Sequence, residues 1–135
     1  MSILLEDLRT KPISFQIADS LISVKGPDSE SYLDSQTTNS LKKLNDNEFH
    51  INSILDLSGK IVSSFILVRR ASNEFEILIN SNFLDATLER LEKFHISEDL
   101  EFHKAAQLSF LNLHYSADNQ IKGKYFFEGD LLSEK

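Results

Sequence analysis

Residues 55–70 read LDLSGKIVSSFILVRR and bring a Gly-Lys pair, two serines and two arginines into one short stretch. Ser58-Gly59-Lys60 invites a phosphate-binding loop, whose backbone N–H groups would cradle an anion between a strand and a helix. Three requirements of that motif are missing. Ile54 stands in place of the first glycine, Ile61 in place of the magnesium-binding Ser/Thr, and an apolar strand-like run follows instead of a helix. A hairpin turn is the better reading. His50, His95, His103 and His114 show neither HxxxH nor HxH spacing, and no cysteine exists to help them hold a metal. They read as structural or surface histidines. No G-x-S-x-G elbow supports a serine nucleophile. Glu98-Asp99 and Glu128/Asp130 could do acid-base work if a pocket split their pKa values, but both lie in turn-like segments that read as solvated loops. Arg69-Arg70 ends an apolar run. In an alternating strand one of the two must face inward or cover an edge, where it could grip a carboxylate, although a solvated strand-end pair is the commoner arrangement.

The elements that would position these groups follow from periodicity. Residues 1–11 read as a leader or short helix. Ile13, Phe15 and Ile17 alternate with polar residues, Asp19-Ser20 signals a turn, and residues 21–24 form a second strand. Gly26-Pro27-Asp28 ends that strand and opens a helix with Tyr32 and Leu33 on its core face. The polar run 35–40 ends the helix. Alternation at Phe49, Ile51, Leu55 and Leu57, a turn at Ser58-Gly59, the dense apolar run 61–68, a turn at Ser72-Asn73 and alternation at Phe75, Ile77 and Ile79 predict an antiparallel meander. Asn82 can cap a helix from Phe83 to about Lys93, with Leu84, Leu88 and Leu91 along one face. Short strands at 100–102 and 108–113 follow. The order is β-β-α-β-β-β-α and then the start of another β-β: an α+β fold with one antiparallel sheet and two helices on a face.

Composition narrows the function classes. The chain has 135 residues, 41% of them hydrophobic and 26% charged, which suits one globular domain over 1–135. A net charge of −7 argues against nucleic-acid and anionic-membrane partners, and Lys42-Lys43 and Arg69-Arg70 are the only basic doublets. The absence of cysteine excludes disulfides and thiolate metal sites and fits a cytoplasmic location. The start, MSILLEDLRTK, lacks the basic and long apolar regions of a signal peptide.

Four segments, in order, resemble a known family. ISVKGPDSESYLDSQTTNSL (22–41) is similar to the G-x-D-x-x-x-(F/Y)-L-x-x-Q-x-T-(N/A) strand and helix of YgfZ-like proteins, relatives of the glycine-cleavage T-protein (aminomethyltransferase). LDLSGKIVSSFILVRR (55–70) resembles their D-x-x-G-K hairpin and following strand. FEILINSNFLDATLERLEKFHI (75–96) and SEDLEF (97–102) resemble the strand, helix and strand that come next. The resemblance covers roughly residues 13–104 and implies one half of a folate-binding domain built by duplication of a β2-α-β3-α unit. It implies tetrahydrofolate as ligand, with Gln36, Thr38, Lys60, Ser63 and Ser64 at the binding positions, and a role in iron–sulfur cluster assembly or repair with iron–sulfur proteins as clients.

Two departures shape the expectation. Ser63 and Ser64 stand where the T-protein keeps an acidic pair, and a hydroxyl cannot take a proton as a carboxylate does. The resemblance therefore implies folate binding without catalysis. An active aminomethyltransferase, needing a carboxylate from elsewhere, and an interaction module with a closed centre are the alternatives. Lys122-Gly123-Lys124-Tyr125 echoes the K-G-C-Y segment of the YgfZ branch with lysine for cysteine, and reads as chance. A single unit is either a fragment or a half-length version, and would leave a sheet edge and an apolar face open. Two copies about a two-fold axis would cover both, so a homodimer is expected.

Overall fold

The computed structural model describes residues 13–115 and 121–127, with side chains described over 16–110. The leader at 1–11 and the acidic cluster at Glu128/Asp130 lie outside the described residues. Six strands and two helices follow in the order β1 (Ile13–Lys25), α1 (Ser29–Gln36), β2 (Phe49–Leu55), β3 (Ile61–Ala71), β4 (Glu74–Ile79), α2 (Leu84–Lys93), β5 (Glu101–Tyr115) and β6 (Ile121–Phe127). They form one antiparallel sheet of order β2-β3-β4-β1-β5-β6, so the meander β2-β3-β4 is as its periodicity predicts.

Two expected boundaries are absent. The turn at Asp19-Ser20 does not form, and residues 13–25 run as one strand with register shifts between Gln16 and Ala18 and between Ala18 and Ser20. The Asp19 carboxylate, a turn-former in the sequence, instead accepts from the Ser81 N–H at 2.7 Å and the Ser81 hydroxyl at 3.1 Å, beyond the end of β4. The two short strands expected after residue 100 are likewise one strand, because β5 pairs with β1 along nearly its whole length. The YgfZ-like echo at Lys122–Tyr125 lies on edge strand β6.

Odd residues of β3 and β4 face the helices. Phe65, Leu67, Phe75, Ile77 and Ile79 join Ile22 and Val24 of β1 under Tyr32, Leu33 and Leu91 from the helices. Each such fully buried side chain is worth about 1.5–3 kcal/mol of transfer free energy. α2 lies as its i, i+4, i+7 spacing predicts, with Leu91 buried and Leu84 and Leu88 packed against the core. Its start differs slightly: Asn80, not Asn82, caps the 3-10 turn Ser81–Phe83 that leads into it, accepting from the Asn82 N–H at 2.9 Å. Even residues of β3 and β4 face the other way. There Ala18, Leu21, Val68 and Leu78 make a second apolar cluster with Ile17, Phe49 and Ile66.

Arg69 corrects the expectation of a solvated pair. It is buried on the helix face, where Nη2 donates to Glu30 Oε1 at 2.6 Å and to the Leu41 carbonyl at 3.1 Å, and its guanidinium lies 4.8 Å from the Phe75 ring centre. Arg70 points to the opposite face and donates to Glu76 at 2.9 Å. The β2 edge is also less open than expected. Thr37 bridges Ile54, the Thr38 N–H donates to Ser53 O at 3.0 Å, and Asn39 Nδ2 donates to Ile51 O at 3.2 Å. The turn after α1 thus blocks this edge against further strand pairing.

Candidate functional site

The second sheet face carries a groove of about 290 Å³, near the lower end of the roughly 300–1,000 Å³ typical of small-molecule pockets. Its walls are Ile17 of β1, Ile51 of β2, Ile66 of β3, Leu78 of β4 and Phe83 ahead of α2, and its polar groups are Ser64 and Asn80. The register explains the grouping. Ile66 pairs with Leu78 across β3 and β4, which places Ser64 and Asn80 beside one another two residues further along on the same face. Ile51 is 71% exposed and Phe83 47%, so the groove is open to solvent on one side.

The polar end has spare donors. Ser64 Oγ lies 2.7 Å from Ser53 Oγ, its partner across β2 and β3. One hydroxyl donates to the other, and the second keeps its proton for a ligand. Asn80 Oδ1 is occupied by the Asn82 N–H, which leaves the amide nitrogen as the donor of that side chain. A flat apolar or aromatic ring with acceptor atoms along one edge matches this lining.

The five positions expected at the site do not converge. Ser64 lines the groove. Ser63, its neighbour in sequence, points to the opposite face, is 4% exposed, and lies 2.5 Å from the Thr87 hydroxyl of α2. Period-2 alternation separates the two serines by the thickness of the sheet, so Ser63 does not reach the groove. Gln36 Oε1 accepts from Arg90 Nη1 at 2.9 Å, while Arg90 Nε donates to Leu55 O at 2.8 Å; the three tie the ends of α1, α2 and β2 together. Thr38 is exposed in the edge turn and connects to the groove only through its N–H bond to Ser53. Lys60 is exposed in the β2–β3 hairpin, where its N–H donates to Asp56 Oδ1 at 3.0 Å. Asp56 also accepts from the Ser58 hydroxyl at 2.7 Å and the Ser58 N–H at 2.9 Å. Those bonds, the Ser58 hydroxyl foremost, hold its carboxyl below the usual carboxylate range. Gly59, at φ +87°, completes the turn that its sequence predicts.

Asn80 is the polar groove residue that the sequence reading leaves out. Its signal was present, since Asn80 continues the alternation of Glu76 and Leu78 just past the end of β4. What alternation cannot supply is the partner strand that sets Asn80 beside Ser64. Among the described residues no group of three or more His, Asp or Glu side chains could hold a metal ion. No helix among them is long and apolar enough to cross a membrane.

The glycine cleavage system aminomethyltransferase T from Bartonella henselae superposes with a TM-score of 0.66 at 20% identity, over 80% of this chain and 30% of that one. The fold is that of part of a T-protein. In sequence, 74 residues are 32% identical to an aminomethyltransferase of Shouchella clausii, covering 55% of this chain and 20% of that protein. Another 82-residue match, 28% identical, is to an uncharacterised protein of Haemophilus influenzae and covers 61% of this chain and 29% of that one. No family model matches the chain. The T-protein likeness therefore rests on a shared fold and a distant sequence match, and it spans under a third of each of these longer relatives.

Proposed function

We propose that this protein binds a reduced folate in the groove on its open sheet face and performs no aminomethyl transfer of its own. The observation that carries the reading is the pairing of Ser64 with Asn80 above an apolar floor. The T-protein-like fold and the ordered motifs resembling YgfZ-like proteins point to folate as the ligand. Ile17, Ile66, Leu78 and Phe83 offer a pterin ring apolar contact, and Ser64 and Asn80 offer donors to its acceptor edge. Tetrahydrofolate would supply one-carbon carrier chemistry when bound. A hydroxyl and an amide can hold and orient it but do not take a proton as a carboxylate would. A concave space of this size is also what the closed interaction module would lack. The open face further motivates pairing with a second copy, and the YgfZ-like motifs motivate a supporting role toward iron–sulfur proteins in the cytoplasm.

Titration calorimetry with tetrahydrofolate tests the reading. Heat of binding that Ser64→Ala and Asn80→Ala each reduce about tenfold in affinity is the expected result, the loss of one hydrogen bond being worth about 0.5–1.5 kcal/mol or somewhat more in a desolvated site. No heat and no thermal shift with the wild-type protein would remove folate. Light scattering at micromolar concentration tests the pairing, and a monodisperse monomer would overturn it.

A further inference from the structure

We propose that His50 is a pH-sensitive latch: its unprotonated Nε2 accepts from the Asn52 amide, which clamps the Thr37–Asn39 turn onto the edge of β2, and its protonation releases that turn.

Asn52 is buried at the centre of the clamp. Its Oδ1 accepts from the backbone N–H groups of Asn39 and Ser53, each at 2.9 Å. Those two groups can only donate, so they settle which end of the amide is oxygen. Nδ2 then faces Asn39 O at 2.9 Å, Thr37 Oγ1 at 3.1 Å and His50 Nε2 at 3.1 Å. The Thr37 hydroxyl donates its own proton to Leu33 O at 2.7 Å, so toward Asn52 it accepts. An amide nitrogen only donates and has two N–H groups for these three acceptors, so they share its protons, and His50 Nε2 at 3.1 Å takes part as a neutral ring with its proton on Nδ1. A proton on Nε2 would set one N–H against another. Rotating the amide to meet it would turn Oδ1 onto the Asn39 carbonyl and away from two backbone donors.

The surroundings do not stabilise an imidazolium. Burial holds His50 below the ordinary value of 6.5, and it is the sole cause of that shift. The carboxylates of Glu30, Asp34 and Glu48 around it are engaged with Arg69 or with backbone. Glu30 of α1 binds Arg69 of β3, Asp34 of α1 accepts from the Leu41 N–H, and Glu48 accepts from the Asn45 N–H. Lys42 and Lys43 in the loop after α1 are exposed. Because the folded-state pKa is lowered, the latch is fully present above about pH 6.5 and weakens as pH falls below it, through the folded-state value. The consequence reaches the groove, since the released turn holds the carbonyls of Ile51 and Ser53. Ile51 is a groove wall, and Ser53 supports the Ser64 hydroxyl.

Amide hydrogen exchange on the full chain tests the latch. The Thr38 and Asn39 amides should lose protection, after correction for intrinsic exchange, by up to about tenfold per pH unit between pH 6.5 and the folded-state pKa of His50. His50→Gln, which cannot titrate in this range, should show no such dependence. An NMR titration of wild-type His50 gives a second measure that does not depend on the variant folding. A pKa at or above 6.5, equal protection of Thr38 and Asn39 at about pH 7 and about pH 5.5, or the same loss in His50→Gln would each overturn the proposal.

Discussion

Replacing Gly26 with alanine separates two ways in which a glycine can be required. Gly26 has φ +143°, and a Cβ built there would stand 2.4 Å from Asp99 O and 2.5 Å from Leu100 Cα. Both are backbone atoms, so neither can swing aside. Nor can the junction open easily. The Gly26 N–H donates to Asn73 O at 2.9 Å, and its carbonyl accepts from the Ser29 N–H at 3.1 Å and hydroxyl at 2.8 Å. Asp99 is held in turn by Asp28, through the Asp28 N–H to Asp99 O at 3.2 Å and the Asp99 N–H to Asp28 Oδ2 at 2.8 Å. Moving away breaks the start of α1 and the approach to β5 together. Backbone strain of about 1–3 kcal/mol and overpacking of about 1–3 kcal/mol give a loss of about 4 kcal/mol. With a urea slope of about 2 kcal/mol/M, the unfolding midpoint should fall by about 2 M. Gly59 is the control. It has φ +87° but nothing within 4 Å of its Cβ position, so Gly59→Ala should cost about 1 kcal/mol, or about 0.5 M. Equal shifts for the two variants would refute the contact argument. A midpoint change under about 0.5 M for Gly26→Ala would refute the whole reasoning.

Ser63→Ala leaves the buried Thr87 hydroxyl without its partner and should cost about 1–3 kcal/mol, whereas Ser63→Ala with Thr87→Val should cost less than the sum of the two single changes in a urea-unfolding cycle. Glu30→Gln removes the carboxylate from buried Arg69; because the Glu30 side chain is 37% exposed, the expected loss is about 1–3 kcal/mol rather than that of a fully buried pair. Arg69→Met, which removes the charge together with its buried and unpartnered Nε, should unfold at a higher temperature than Arg69→Ala, which adds a cavity under Phe75.

The features read correctly from sequence are the short-range ones. The meander β2-β3-β4, the Ser58-Gly59 turn, the end of α1 in its polar run and the apolar stripe of α2 each depend on residues within one or two turns of each other, where pleat and helix period act directly. The misreadings are places where a distant partner overrode a local signal. Asp19-Ser20 has turn chemistry, but 62 residues later Ser81 supplies the donors for Asp19, and pairing with β5 carries the strand through. Arg69 reads as a strand-end cation until α1 brings Glu30 over it across 39 residues. Residues of the site were half legible for the same reason. Ser63 and Ser64 stood out because the T-protein resemblance puts them where that enzyme keeps an acidic pair, yet strand geometry puts them on two faces.

The amino-acid sequence by itself determined an acidic α+β chain with an antiparallel meander, two helices on one face, and motifs in T-protein order. The charge and the strand and helix pattern follow from composition and from periods of 2 and 3.6, which neighbouring residues alone set, while the motif order is a resemblance to T-protein relatives that no period encodes. Only the tertiary structure decided that Ser64 belongs with Asn80 and Ser63 with Thr87, that Arg69 is an interior cation, and that Asn52 and His50 close the edge of β2. Each of those depends on the register between strands or on a helix laid across them, contacts between residues 13 to 39 positions apart or set by strand pairing, which no local period encodes.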